Sequence, residues 1–84
     1  MMLELRPQVA EFAQEMERKL RENDYKGGWD VCSMTYLVRR LSEEVAELKD
    51  ALNTPAQEFP DIIGEAADVA NFAMMVADMY GEHK

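Results

Sequence analysis

The sequence predicts an all-α domain of three helices, and three observations favour that fold class. Apolar residues recur at spacings of three and four, which match the 3.6-residue turn of an α-helix. The three prolines fall at the ends of these periodic segments. No other segment shows the two-residue alternation of a half-buried strand with comparable strength. With 84 residues, the chain has the length of a single domain, spanning residues 1–84.

The first two helices are separated by a loop. Pro7 suits the first turn of a helix, and residues 8–22 follow without a helix breaker. Residues 23–30 include asparagine, aspartate and two adjacent glycines, a composition typical of a loop. Ser33 is a suitable N-cap for the second helix, which we expect to end near Leu52.

The third helix is predicted from Pro60 to about Tyr80, with Gly81 as its C-terminal stop. It is the most apolar of the three, because residues 66–77 include only two strongly polar side chains. A helix that is apolar around most of its circumference belongs in the middle of a bundle or at a subunit interface.

Oligomerisation is expected from the size of the chain. A domain this short buries only about 60% of the surface that its unfolded form exposes, so a core of its own is marginal. The single cysteine, Cys32, cannot form an intrachain disulfide, and the only histidine is His83. We therefore expect a helical bundle assembled as a homodimer or homotetramer.

The charge balance limits the range of partners. The chain has 17 acidic and 9 basic residues, for a formal charge of −8. This balance argues against binding to DNA or RNA, which requires a basic surface, and any polyanionic ligand would have to arrive with cations. One cysteine and no signal-type or membrane-spanning apolar segment predict a cytoplasmic protein without a membrane partner.

Two carboxylates lie on helix faces that should be buried. Projected at about 100° per residue, Glu44 falls within the apolar stripe of the second helix, close to Leu37. On the third helix, Glu65 falls between Phe72 and Val76. Charged side chains in these positions require compensation.

Each of these carboxylates has an acidic neighbour three residues later, Glu47 after Glu44 and Asp68 after Glu65. Uncompensated buried carboxylates are costly, and a close group of them is self-repelling. A divalent cation would neutralise the set, and oxygen ligands alone suit Mg²⁺, or Mn²⁺ in its place, rather than zinc. The alternatives are a solvated helix face or an ordinary ion pair, since Arg40 precedes Glu44 by four residues.

The acidic residues also carry a family resemblance. Residues 43–47 (EEVAE) and 65–68 (EAAD), separated by seventeen residues, resemble the E-E-x-x-E…E-x-x-D signature of the MazG-like all-α nucleoside triphosphate pyrophosphohydrolases. Residues 23–29 and 68–75 are similar to the short stand-alone members from phages and mobile elements. The resemblance covers residues 8–81.

The resemblance implies hydrolysis of ribo- or deoxynucleoside triphosphates to the monophosphate and pyrophosphate, which would serve to cleanse the nucleotide pool. It also implies dimers, or dimers of dimers, built on helical bundles. Carried over by position, the ligands of Mg²⁺ would be Glu44, Glu47, Glu65 and Asp68.

Five side chains are candidates for further roles. Water is the expected nucleophile, and Glu43 or Glu47 would orient and deprotonate it, with Glu43 preferred; otherwise Glu43 is simply exposed to solvent. Lys26, beside two glycines, either approaches a phosphate or is solvated. Trp29 either stacks on a base or anchors the loop to the core. Asn71 either meets a sugar hydroxyl or base edge, or is a hydrogen-bonded interface residue.

Two other functions compete with hydrolysis. One is a non-catalytic helical module that sequesters a nucleotide or metal, or regulates a partner. The other is a carboxylate-bridged di-iron bundle, which normally supplies Glu-x-x-His pairs; no predicted helix contains a histidine, so this hypothesis ranks last.

Overall fold

The computed structural model describes residues 2–82, without the side chain of Glu82. Three α-helices account for most of the chain: α1 (Pro7–Glu22), α2 (Met34–Leu52) and α3 (Ile62–Glu82). The connections contain single 3₁₀ turns at Asp24–Lys26, Trp29–Val31 and Ala56–Glu58. The described residues include no strand, and the predicted all-α fold class is confirmed. His83 lies outside the described residues.

The ends of α1 and α2 follow the local sequence signals. Pro7 is the first residue of α1, where its missing N–H would have had no helical acceptor. The hydroxyl of Ser33 accepts a hydrogen bond from the Tyr36 backbone N–H at 3.1 Å, so Ser33 caps α2 as predicted. Helix α2 ends at Leu52.

Both ends of α3 differ from the prediction. The helix begins at Ile62 rather than at Pro60, because Asp61 serves as its cap: its Oδ1 accepts a hydrogen bond from the Gly64 N–H at 3.0 Å. At the other end the helix continues through Gly81 to Glu82. Gly81 does not stop it, since among the described glycines only Gly27 has a positive φ.

Helix α3 lies in the middle of the structure. It packs against both α2 and α1, and its contact with α2 is the larger, whereas α1 and α2 hardly meet. This position agrees with the apolar circumference of α3. The contact between α2 and α3 brings the two predicted carboxylate pairs face to face, and it therefore positions the candidate metal site.

The core of the chain is small. The fully or nearly buried apolar side chains are Leu37, Ala67 and Met79. Large apolar side chains remain exposed along the N-terminal segment, both connections and all three helices: Met2, Leu3, Leu5, Val9, Tyr25, Val31, Tyr36, Val38, Leu52, Phe59, Ile63 and Tyr80. A core this small favours burial of further apolar surface in an oligomer, and the homo-oligomer stays a prediction.

A helix that crosses a membrane has to be both long and apolar. Within residues 2–82, no helix combines the length and the apolar character needed to cross a membrane.

Candidate metal centre and adjoining cleft

Three carboxylates meet where α2 packs on α3. Glu44 and Glu47 come from α2 and Glu65 from α3, and one oxygen of each lies within 4.8 Å of the others. The i, i+3 spacing places the two α2 residues on one side of that helix, and the packing of α3 against it adds the third. We call these three residues the carboxylate cluster.

Two oxygens of the carboxylate cluster lack any hydrogen-bond partner. Glu44 is only 6% exposed, and its Oε2 and the Oε2 of Glu65 are buried without a donor. Buried polar atoms are nearly always satisfied in proteins, so these two oxygens call for a positively charged or hydrogen-bond-donating ligand. A cluster with carboxylate donors alone fits a hard divalent cation such as Mg²⁺ or Mn²⁺.

The environment of the cluster raises its pKa values. Burial, followed by the neighbouring carboxylate of Glu47, raises the pKa of Glu44 to about 7. Burial and the charge of Glu47 also raise the pKa of Glu65. The metal-free cluster therefore holds a proton more readily than ordinary carboxylates do.

Asp68, the fourth predicted ligand, lies beside the carboxylate cluster. Its Oδ2 is 3.4 Å from the Lys19 Nζ of α1. Burial raises the pKa of Asp68, although the Lys19 ammonium opposes that effect. The structure therefore brings together three of the four predicted metal ligands. The fourth, Asp68, lies nearby and is paired with Lys19.

Arg40 supplies a cation on the other side of the cluster. Its guanidinium donates hydrogen bonds to the Glu44 Oε1 at 2.7 Å and to the Glu43 Oε1 at 2.5 Å. The Arg40–Glu44 ion pair, one of the alternatives from the sequence, is therefore present, but it leaves Glu44 Oε2 without a partner. Glu43 is half-exposed and 3.8 Å from Arg39 as well, and it is not among the clustered carboxylates.

A cleft of about 370 Å³ opens beside Glu44 and Asp68. Its apolar walls include aromatic rings from the loop and from α3, and its polar lining contains three cations. The side chains used below are Lys19, Lys26, Trp29, Arg40, Asn71 and Phe72. A volume of this size suits a small organic ligand.

The three predicted substrate-binding residues all line this cleft. Lys26 is exposed at its rim, with its Nζ 5.7 Å from the centre of the Tyr25 ring. Trp29 donates a hydrogen bond from Nε1 to the Asp78 Oδ2 of α3 at 3.0 Å. Trp29 thus anchors the loop, as one alternative proposed, while its side chain still lines the cleft.

Asn71 is the polar residue buried most deeply in the cleft wall, at 3% exposure. Its Nδ2 donates a hydrogen bond to the Met16 backbone carbonyl of α1 at 3.0 Å. Its Oδ1 is buried and has no donor among the described residues. The amide nitrogen is therefore held by α1, and the buried amide oxygen is left without a partner.

Two residues of the site were missed as ligand-binding candidates in the sequence. Lys19 had no assigned role, and Arg40 was considered only as the partner of Glu44. Lys19 comes from α1, a helix that carries none of the clustered carboxylates, so no spacing in the sequence links it to them. Only the packing of α1 on α3 reveals the connection.

The chain was also compared with known proteins. No protein-family model, curated protein or solved structure matched it. The site's own chemistry and the acidic motif are therefore the basis for a functional proposal.

Proposed function

We propose that this chain is a Mg²⁺-dependent nucleoside triphosphate pyrophosphohydrolase, in keeping with its resemblance to the MazG-like enzymes. The observation that carries the proposal is the pair of buried, unsatisfied carboxylate oxygens on Glu44 and Glu65, next to a cleft with cationic and aromatic walls. A divalent cation would satisfy both oxygens, and the cleft would hold the nucleotide.

The residues present fit a metal ion of this kind. Glu44, Glu47 and Glu65 would hold it, and Asp68 would join them if its pairing with Lys19 were released. When bound, the ion would neutralise phosphate oxygens and the charge that develops on the leaving pyrophosphate. This matters in a chain with a formal charge of −8, because the protein alone would repel a triphosphate.

The reaction adds one water molecule across a phosphoanhydride bond. The water oxygen bonds to the α-phosphorus, the bond from that phosphorus to the α–β bridging oxygen breaks, and pyrophosphate leaves. Glu47 is the exposed member of the cluster, so we assign to its second oxygen the task of orienting the water and accepting its proton. Glu43 is less suited to this task, because Arg40 already engages its carboxylate.

The cleft would bind the rest of the nucleotide. Trp29 and Phe72 offer aromatic surfaces for the base, and the free Oδ1 of Asn71 would accept a hydrogen bond from a base or sugar donor. Lys26 lies at the rim, where an ammonium can reach the phosphates.

The test is a product assay with matched variants. Purified protein is incubated with Mg²⁺ and each canonical ribo- and deoxynucleoside triphosphate, and both pyrophosphate and monophosphate are quantified. Glu44→Gln and Glu65→Gln should lower turnover at least 100-fold, on the order expected for loss of an essential electrostatic group. Glu58→Gln, an exposed acid outside the site, is the control and should retain activity.

Three results would count against the proposal. One is wild-type protein that releases no pyrophosphate from any triphosphate. Another is normal turnover in Glu44→Gln. The third is calorimetric binding of nucleotide without product over a long incubation, which would favour the non-catalytic binding module instead.

A further inference from the structure

Positive charge is concentrated in the cleft of this acidic protein. Three of its nine lysine and arginine residues, Lys19, Lys26 and Arg40, line that one cleft. Lys19 and Arg40 differ from Lys26, because each of them is paired with a carboxylate at the proposed metal site. They lie where α1 and α2, respectively, face α3.

Arg40 is shared between an inner and an outer carboxylate. The inner partner is buried Glu44, and the outer partner is half-exposed Glu43. The guanidinium also lies 5.0 Å from the centre of the Phe72 ring, in the cleft wall. Arg40 can therefore release Glu44 and move towards the cleft while it keeps Glu43 as a counterion.

Lys19 is arranged in the same way. Its inner partner is Asp68, with Nζ and Oδ2 3.4 Å apart, and its outer partner is exposed Glu22, with Nζ and Oε2 3.7 Å apart. Neither pairing is a tight contact, so an ammonium on a flexible side chain can change partners at little cost.

We propose that Arg40 and Lys19 are counterions of the metal-free carboxylates, and that they transfer to the phosphates when a metal-bound polyphosphate enters. The inference rests on the proposed function, since it names two phosphate-binding residues of that same site. With a divalent cation held by Glu44, the guanidinium of Arg40 would be repelled and would no longer be needed as the counterion of that carboxylate. The displaced guanidinium then pairs with phosphate oxygens, for which its planar fork is well suited.

This exchange of partners couples the binding of the metal ion to the binding of the polyphosphate. Metal alone has to displace Arg40 from Glu44 without offering it a new anion. Metal with polyphosphate supplies that anion, so each ligand strengthens binding of the other by the same factor. Removal of Arg40 should therefore change metal affinity and polyphosphate affinity in opposite directions, an outcome that a merely structural residue would not produce.

Arg39 provides a matched control on the same helix. It too pairs with Glu43, at 3.8 Å, and its guanidinium lies 5.3 Å from an aromatic ring, that of Tyr36. It does not contact Glu44 and is not part of the cleft lining. Comparing Arg40→Met with Arg39→Met isolates the contact with the metal site.

The experiment measures two affinities by titration calorimetry at mildly alkaline pH, above the Glu44 pKa of about 7. The probes are Mn²⁺ alone, and inorganic tripolyphosphate at saturating Mg²⁺, which removes any preference for a base. In Arg40→Met we expect Mn²⁺ to bind about tenfold more tightly, because a competing positive charge is gone. Tripolyphosphate should bind about tenfold more weakly, because a charge-assisted hydrogen bond is lost.

Lys19→Met should show the same opposite changes, and Arg39→Met should alter both affinities by less than about twofold. Circular dichroism checks that each variant is folded. Loss of both affinities in folded Arg40→Met and Lys19→Met, unchanged Mn²⁺ binding, or unchanged tripolyphosphate binding would overturn the inference. Wild-type protein that binds no Mn²⁺ would instead refute the proposed function, so the two failures are distinguishable.

Discussion

Replacing Glu44 by glutamine should stabilise the metal-free protein at neutral and alkaline pH. The pKa of Glu44 is raised from its usual 4.5 to about 7, first by burial and then by Glu47. Each pKa unit corresponds to about 1.4 kcal/mol, so ionised Glu44 costs the folded state about 3 kcal/mol relative to the unfolded chain. Glutamine has nearly the same shape and no charge.

The sign of the pH dependence follows from proton linkage. Between 4.5 and about 7, the folded protein holds a proton on Glu44 that the unfolded chain has released. Folding stability is therefore highest below the unfolded pKa and decreases as the pH rises through the folded pKa. The raised pKa values of Glu65 and Asp68 act in the same direction.

The assay is urea unfolding at fixed protein concentration, in the presence of a chelator, at about pH 5 and about pH 8. Wild type should lose about 3 kcal/mol of unfolding free energy between the two pH values. Glu44→Gln should lose much less and should exceed wild type at the higher pH, because its neutral amide brings no charge into this buried position. Glu43→Gln, the half-exposed neighbour, is the control and should gain nothing.

Added Mg²⁺ provides the second half of this experiment. At a concentration about 100-fold above its Kd, the ion should stabilise wild type by about 2.7 kcal/mol at the higher pH, and less at the lower pH where Glu44 is protonated. Glu44→Gln should respond weakly at both. If Glu44→Gln were less stable than wild type at the higher pH without metal, the inference that the ionised Glu44 carboxylate destabilises the folded state despite Arg40 would be refuted.

Three further predictions concern other parts of the molecule. Ser33→Ala should lower the unfolding free energy by about 1 kcal/mol through loss of the α2 cap, while Ser33→Asp should preserve it; equal loss in both would contradict a capping role. Asn71→Leu should destabilise the protein by about 1 kcal/mol, because the buried hydrogen bond between its amide and the Met16 carbonyl is lost, and should also weaken nucleotide binding measured by calorimetry; unchanged binding would remove Asn71 from the proposed pocket. Light scattering coupled to size-exclusion chromatography should give a dimer or tetramer, since the core is small and many large apolar side chains are exposed; a monomer at high concentration would contradict this expectation.

Much of the fold was predictable because its signals are local. Helical periodicity, the first-turn proline of α1 and the Ser33 cap act within a few residues, and the sequence displays them directly. The ends of α3 were less predictable, because competing local signals were present. Helix α3 was expected to begin at Pro60, but Asp61 caps it and it begins at Ile62. The helix also continues through Gly81, where it was expected to end.

The carboxylate cluster was predictable in part for the same reason. A charged residue inside an apolar stripe is visible in a helical projection, and Glu44 is indeed buried. The sequence does not show that α2 packs against α3, nor which of the four predicted carboxylates come together there. Their convergence depends on how the helices pack, and that packing left Asp68 with Lys19.

The sequence by itself determined an all-helical chain with acidic side chains on two apolar faces, because both properties depend on residue spacing along one helix. The tertiary structure alone decided which carboxylates share a site and which oxygens lack a partner, and it placed Lys19 and Arg40 as their neighbours. Such contacts join residues that are far apart in the chain, and their energies depend on distances of a few ångströms that no spacing rule specifies.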